Sequence, residues 1–330
     1  MKPNDTMGRI GPGLGAMVTW GCPAVLAAGQ APAGVQRIVA QGAPAGSLAA
    51  PSGASPKTRY LDRGEGRIAF DLAGTGPLVI CAPGMGDVRA EYRFLVPQLV
   101  EAGYAVATMD VRGQGESSAA WKDYSVAAIG ADMLALARHL YRGPAILAAN
   151  SMSGAAAVWA AAEAPDAVAG LVLLDPVVRD APSGTGPLAR ALYSVLFADP
   201  WGPAVWQRYY GTLYPSRKPA DFAAYTAALA ANLRQAGRMR ALRGMMLSPK
   251  AAAEARVSQV KAPALVVMGT RDPDFKDPVA ETRWLSDALH ARVQLIEGAG
   301  HYPHAERPDE TGPAVVAFLQ TIAAKEPYGQ

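Results

Sequence analysis

Short apolar runs recur through most of the chain and are separated by longer segments in which apolar residues return every three or four positions. The runs are continuous and lack the apolar–polar alternation of a strand with one face in solvent, so we expect strands that are buried on both faces. Two short segments before them are joined by a glycine-containing turn, which predicts an antiparallel entry to the sheet. The predicted strands are Arg59–Asp62, Arg67–Leu72, Leu78–Cys81, Ala105–Met109, Ala145–Ala149, Leu171–Leu174, Leu265–Met268 and Val293–Ile296.

The longer segments between these strands have the spacing of amphipathic helices. Strands that alternate with helices predict an α/β protein, with a mostly parallel central sheet and helices on both of its faces. Pro97 falls near the middle of the first helix, where its ring is expected to kink or shift the helix. The predicted helices are Glu91–Ala102, Val126–Tyr141, Gly154–Glu163, Val279–Leu289 and Pro313–Ala324.

The alternation of strands and helices stops after the strand ending near Leu174 and resumes at about Lys261. The interval is helical in pattern, so we predict a helical cap at residues 176–261, inserted into a core made of residues 57–175 and 262–330. The cap is rich in aromatic residues, which either form a small core of its own or line an apolar substrate pocket. These aromatics are Tyr193, Phe197, Trp201, Trp206, Tyr209, Tyr210, Tyr214, Phe222 and Tyr225.

Residues 1–56 differ from the rest of the chain because they are rich in glycine, alanine and proline and carry few charges. This composition predicts a disordered or loosely packed segment. Within it, residues 17–28 are mildly apolar, but Gly21 and Pro23 interrupt the run and Lys2 lies far upstream, which makes a poor secretory signal. We therefore expect a cytoplasmic protein, with export as the alternative.

Ser151 lies where a predicted strand meets a predicted helix. A tight strand-to-helix turn of this kind lifts a serine hydroxyl clear of the sheet, and small neighbouring residues let the strand and helix approach closely. Backbone amides at the start of the helix can then face a developing negative charge. Ala149 and Ser153 stand where the usual Gly-x-Ser-x-Gly pattern has glycines. The sequence therefore indicates a nucleophile elbow, with an ordinary strand-to-helix turn as the alternative.

Two residues that could assist Ser151 follow later strands. A serine hydroxyl is a weak nucleophile and needs a base within hydrogen-bond reach. His301, on a glycine-rich turn, is the candidate base. Asp272 would accept a hydrogen bond from its other ring nitrogen and so fix the tautomer. Asp274, two residues further on, and Asp175, at the end of an earlier strand, are competing candidates for the acid.

The order serine, aspartate, histidine, each just beyond a strand, resembles the α/β-hydrolase superfamily. The resemblance extends over about residues 59–324 and includes residues 110–117, which are similar to the family's Asp-x-Arg-Gly-x-Gly-x-Ser loop. It implies the α/β-hydrolase fold and a catalytic triad of Ser151, Asp272 and His301.

The same resemblance implies an oxyanion hole made of two backbone amides. One is the N–H of Met152, next to the serine, and the other is the N–H of Met85 in the Pro83–Gly86 loop. Pro83 replaces the histidine of the family's His-Gly-x motif, so the usual side-chain anchor of this loop is absent. For Arg112 we predict a bond to a neighbouring carboxylate or carbonyl and no direct catalytic role.

These features predict a serine hydrolase that cleaves a small to medium carboxylic ester or thioester through an acyl-enzyme. We expect a small-molecule acyl substrate as its partner, and neither nucleic acid nor a membrane span. A serine at the elbow disfavours dehalogenase and epoxide hydrolase chemistry, since both use an aspartate there. Two alternatives remain: a cofactor-free perhydrolase or haloperoxidase, in which peroxide intercepts the acyl-enzyme, and a ligand-binding receptor that kept the fold.

Composition narrows these choices only slightly. A net charge of +3 over 330 residues gives no global reason for nucleic-acid binding. No uninterrupted apolar run reaches 18 residues, so we expect no membrane span. Residues 181–257 hold ten basic and three acidic residues, which indicates either a solvated surface or attraction of an anionic substrate.

Cysteine and histidine usage points to no prosthetic group. Cys22 and Cys81 lie in different contexts and indicate no disulfide framework, and Cys81 is expected to be a small core residue. The four histidines show no metal-ligand spacing, so we expect neither a metal nor a cofactor. The sequence predicts no particular oligomeric state.

Overall fold

A computed structural model describes residues 57–180 and 186–323. The predicted loose segment 1–56, with Cys22, lies outside these residues. Eight strands form one sheet in the order β1-β2-β4-β3-β5-β6-β7-β8. β1 and β2 enter antiparallel and the other neighbours pair in parallel, so the predicted α/β-hydrolase fold is confirmed. The strands are β1 Arg59–Asp62, β2 Arg67–Ala73, β3 Leu78–Ala82, β4 Ala105–Met109, β5 Ala145–Asn150, β6 Val168–Leu174, β7 Ala264–Gly269 and β8 Arg292–Ile296.

Helices cover both faces of the sheet, which explains why its central strands are buried at every position and almost entirely apolar. The first and last helices pack on one face, and the second, third and ninth pack on the other. The helices are α1 Leu95–Glu101, α2 Val126–Leu140, α3 Met152–Glu163, α4 Pro187–Leu196, α5 Gly202–Tyr210, α6 Phe222–Leu233, α7 Arg238–Met246, α8 Ala251–Glu254, α9 Pro278–Leu289, α10 Pro303–Glu306 and α11 Pro308–Ala323.

Two predicted helix boundaries were wrong, and proline accounts for both. The helix expected at 91–102 divides into a 3₁₀ segment, Arg89–Phe94, and α1. Pro97 lies in the first turn of α1, where a missing amide costs no intrahelical bond. The helix expected from Pro313 starts at Pro308, because a proline suits the first position and the acidic residues after it complement the helix dipole.

Two predictions for individual side chains are confirmed. Arg112 donates from Nε and Nη2 to the two carboxylate oxygens of Asp132, at 2.8 and 2.9 Å, and from Nη1 to the carbonyl of Asp123. It therefore fixes the loop after β4 to α2. Cys81 is fully buried in β3, as expected of a core residue.

We call residues 176–261, between β6 and β7, the cap segment. Its described part contains α4 to α8 and no strand. Its aromatics form two clusters that contact loops of the core. In the first, the rings of Tyr210 and Tyr214 pack against the ring of Tyr302, with centroid distances of 5.0 and 5.2 Å. In the second, Trp206 packs beside the loop that contains Met85. Trp201 remains half exposed. The aromatics therefore join the cap segment to loops that carry the predicted site residues.

None of the helices in the two described stretches combines the length and hydropathy required to cross a bilayer.

Candidate active site

The turn between β5 and α3 forces Ser151 into an unusual backbone conformation. Its φ of 55° and ψ of −125° lie where side chains other than glycine are strained. Its amide donates to the carbonyl of Leu174 at 3.0 Å, which fixes the turn to the neighbouring strand. Gly154 permits the sharp turn, because a Cβ there would lie 2.7 Å from the Cβ of Pro176. This geometry is that of a nucleophile elbow.

His301 and Asp272 form a buried pair at the ends of neighbouring strands. Nδ1 of His301 lies 2.6 Å from Oδ2 of Asp272, and both side chains are almost completely buried. Burial of the ring opposes its protonation, but the nearby carboxylates outweigh burial and raise the pKa of His301 above its usual value. The hydrogen bond at Nδ1 leaves Nε2 as the ring nitrogen that is free to act as a base.

The competing acids occupy different positions around the ring. Oδ2 of Asp274 lies 3.7 Å from Nδ1 of His301, beyond hydrogen-bond distance. Oδ1 of Asp175 accepts from the amide of Gly269 at 2.9 Å, and this residue therefore supports the end of β7. Burial, together with the charge of Asp272, raises the pKa of Asp175 well above its ordinary value. Asp272 is thus the carboxylate in direct contact with the histidine.

Asn150 joins the serine turn to the histidine loop, a contact that the sequence reasoning missed. Its buried side-chain amide donates to the carbonyls of Leu174 and His301, each at 3.0 Å. Because it directly precedes Ser151, it draws the backbone of residue 301 toward the elbow. A polar residue at the end of an otherwise apolar strand was the available signal.

The Pro83–Gly86 loop is anchored without the histidine of the family motif. The hydroxyl of Ser153 donates to the carbonyl of Pro83 at 2.5 Å, and the amide of Gly84 donates to Oε2 of Glu91 at 3.0 Å. A Cβ on Gly84 would lie 3.1 Å from the Cβ of Ser151, so the loop runs directly beside the serine.

Two backbone amides are left available next to Ser151. The bonds of the Pro83–Gly86 loop use the amide of Gly84 but not that of Met85. Met152 is the first residue of α3, where an amide has no carbonyl one turn earlier to receive it. Both predicted oxyanion donors therefore lie on segments that flank the serine.

Glu91 also reaches the segment that follows the histidine. Its Oε1 lies 3.0 Å from Nε2 of His304, and both side chains are buried. Burial raises the pKa of Glu91 to about 8 and lowers that of His304 to about 3. Both groups are therefore mainly uncharged at neutral pH, which suits an interior contact between the 3₁₀ segment Arg89–Phe94 and α10. Sequence reasoning attached no role to either residue.

Glu306 fixes the histidine loop to the cap segment. Its Oε1 accepts from the amide and hydroxyl of Ser216 and from the amide of Arg217, and its Oε2 accepts from the amide of Gly300. The carboxylate is fully buried. It therefore sets the position of the residue directly before His301.

One acidic cluster among the described residues has the spacing of a metal site. Asp175, Asp272 and His301 each offer a ligand atom, and these atoms lie within 4.8 Å of one another. Nδ1 of His301 is already engaged by Asp272, so an ion bound there would have to replace that hydrogen bond. We therefore do not count these residues as metal ligands.

A sheet of this strand order, with serine, aspartate and histidine on the loops beyond its strands, has the architecture of an α/β hydrolase. The profile of the alpha/beta hydrolase family matches residues 79–314, and the chain belongs to this family.

Individual proteins resemble the chain over most of its length. The chain is 30% identical over 308 residues to the polyketide synthase ThaQ of Burkholderia thailandensis, which covers 86% of this chain and 14% of that much longer protein. An esterase from Exiguobacterium antarcticum superposes with a TM-score of 0.69 at 16% identity, over 79% of this chain and 98% of the esterase. A bromoperoxidase from Bacillus anthracis gives 0.67 at 21% identity, over 77% and 96%. At these identities the two structures support the fold alone.

Proposed function

We propose that this protein is a serine hydrolase that cleaves a small to medium carboxylic ester or thioester through an acyl-enzyme. The observation that carries the proposal is the buried His301–Asp272 pair, joined through Asn150 to the strained turn that bears Ser151. A histidine without a catalytic role would need neither a carboxylate bound to one ring nitrogen nor a backbone hydrogen bond to the residue before a strained serine. We also propose that residues 176–261 act as a cap over this site.

In the proposed reaction Ser151 attacks the acyl carbon while Nε2 of His301 takes its proton. Asp272 holds the ring in the required tautomer and stabilises the imidazolium that forms. The amides of Met85 and Met152 receive the negative charge on the acyl oxygen. The histidine then protonates the leaving group, and a water molecule activated by the same ring releases the acid and regenerates the serine.

A short-chain nitrophenyl ester, combined with a fluorophosphonate that forms a stable serine adduct, tests this proposal. We expect the ester to be hydrolysed, and the fluorophosphonate to add once per chain and stop that hydrolysis. Mass spectrometry of a digest should place the adduct on Ser151. Turnover that persists after complete labelling, or an adduct on another serine, would contradict the proposal.

The anchor of the Pro83–Gly86 loop provides a second, smaller effect. Ser153→Ala removes the hydroxyl that holds the carbonyl of Pro83 and lets the proposed oxyanion loop move relative to Ser151. A hydrogen bond of this kind contributes about 1 kcal/mol, so we expect kcat for the nitrophenyl ester to fall about fivefold with little change in KM. Ser286→Ala, which removes a hydroxyl from the surface of α9, is the matched control and should leave kcat unchanged. Equal effects of the two substitutions would argue against the anchor.

A further inference from the structure

Asp274 receives a hydrogen bond from the cap segment. The hydroxyl of Tyr209, at the C-terminal end of α5, donates to its Oδ1. Tyr209 is held in place by the ring of Trp206, whose centroid lies 5.3 Å away. A core carboxylate and a cap hydroxyl are therefore joined directly, across 65 residues of sequence.

The same carboxylate faces the proposed catalytic histidine. Its second oxygen, Oδ2, lies 3.7 Å from Nδ1 of His301, and its backbone amide donates to Oδ1 of Asp272 at 2.9 Å. The Asp274 side chain is 20% exposed, so it has room to turn toward solvent when nothing holds it. Tyr209 therefore occupies one oxygen of a carboxylate whose other oxygen lies close to the imidazole.

We propose that Tyr209 and Asp274 are positioning residues, through which docking of the cap segment adds a second negative charge beside His301. Asp272 makes the hydrogen bond that orients the ring, and Asp274 adds electrostatic stabilisation of the imidazolium. The strength of that stabilisation depends on a hydroxyl supplied by α5. The inference rests on the role proposed for His301 as the base.

The ionisable groups that face His301 determine in which direction its pKa should change when Asp274 loses its charge. Asp272 and Asp274 face it from the loop after β7, and Asp175 faces it from the end of β6. Glu91 and His304 also interact electrostatically with the ring, and both are mainly neutral at pH 7. The ring must be neutral to accept a proton, so kcat/KM rises as pH passes upward through the pKa of His301. Removing a nearby negative charge lowers that pKa and moves the rise to lower pH.

Histidine NMR titration of the full chain labelled with ¹⁵N tests the inference without any substrate. We expect Asp274→Asn to lower the pKa of His301 by about one unit, as is typical of losing an opposite charge at this distance. Tyr209→Phe should lower it by less, because the freed carboxylate turns toward solvent and loses a bond that favours its ionised form. The acid limb of kcat/KM for the nitrophenyl ester should move in the same direction. His301→Asn identifies the resonance among the four histidines.

A double variant and a matched tyrosine separate this inference from a structural role. In the Asp274→Asn background, Tyr209→Phe should have no further effect on the pKa of His301. Tyr210→Phe removes the neighbouring buried hydroxyl, which binds Asp87 instead, and should leave that pKa unchanged. An unchanged pKa in both Asp274→Asn and Tyr209→Phe, or a Tyr209→Phe shift that persists in the double variant, would overturn the inference.

The failure of this inference can be distinguished from the failure of the proposed function. If Asp274→Asn fails to fold, Tyr209→Phe, which removes a single hydroxyl, carries the test alone. If the shifts occur but no ester is hydrolysed, the serine hydrolase proposal fails and the contact from cap to histidine stands. If Ser151 reacts and the shifts are absent, the reverse holds.

Discussion

Replacing Ser151 with alanine is expected to reduce kcat for the nitrophenyl ester by roughly 10⁶-fold, the loss seen when a triad nucleophile is removed. The reason is chemical, because a methyl group cannot form the acyl-enzyme, and the residual rate then comes only from binding and from the oxyanion amides. The measurement is the initial rate at saturating ester, compared with the rate without enzyme.

The fold should survive this substitution, which keeps the comparison interpretable. Alanine has the same Cβ as serine, so it tolerates the strained φ of 55° no better and no worse. We expect the melting temperature to stay within a few degrees of that of the parent. Ser194→Ala, on the exposed surface of α4, is the control for the loss of a serine hydroxyl and should retain full activity. Ser151→Ala with more than a tenth of the parent rate would refute the proposed nucleophile.

The strands could be predicted closely from sequence, because a strand that is buried on both faces appears as a continuous run of apolar residues. β1 has the predicted bounds, and β3 to β8 differ from their predictions by at most a few residues. Asp272 and His301 could also be found, since each follows such a strand within a few residues and the ends of parallel strands share one edge of the sheet. The local sequence was therefore sufficient to predict a site residue wherever the preceding strand sets the position of that residue.

The supports of the site could not be found in this way because they join distant parts of the chain. Asn150 binds a carbonyl 151 residues away, and Glu306 binds amides about 90 residues away. The polar end of β5 could have drawn attention to Asn150, but no local pattern identifies the distant partner of either side chain. The choice between Asp272 and Asp274 was open for the same reason, since two aspartates on one loop differ only in how the loop folds back on the ring.

Replacing Glu306 with glutamine is expected to lower the free energy of unfolding by about 3 kcal/mol, the largest stability loss that we predict for a single substitution. The carboxylate accepts four hydrogen bonds in the interior, from Ser216, Arg217 and Gly300. An amide keeps one acceptor oxygen, and its NH₂ group must then face donors that are already buried. Thermal or urea unfolding measures the loss.

Replacing Glu306 with glutamine should also lower the activity, because this carboxylate contacts the loop that carries His301 as well as the cap segment. Its Oε2 holds the amide of Gly300, so glutamine should displace the loop that carries His301 as well as loosen the cap segment. We therefore expect kcat for the nitrophenyl ester to fall at least tenfold at temperatures where the variant is still folded. Glu310→Gln, an exposed glutamate on α11 within 3.8 Å of Arg307, is the matched control. It should change neither quantity appreciably, since exposed ion pairs contribute about 0–1 kcal/mol. A Glu306→Gln variant with the parent's stability would mean that the cap segment is not held to the histidine loop by this carboxylate.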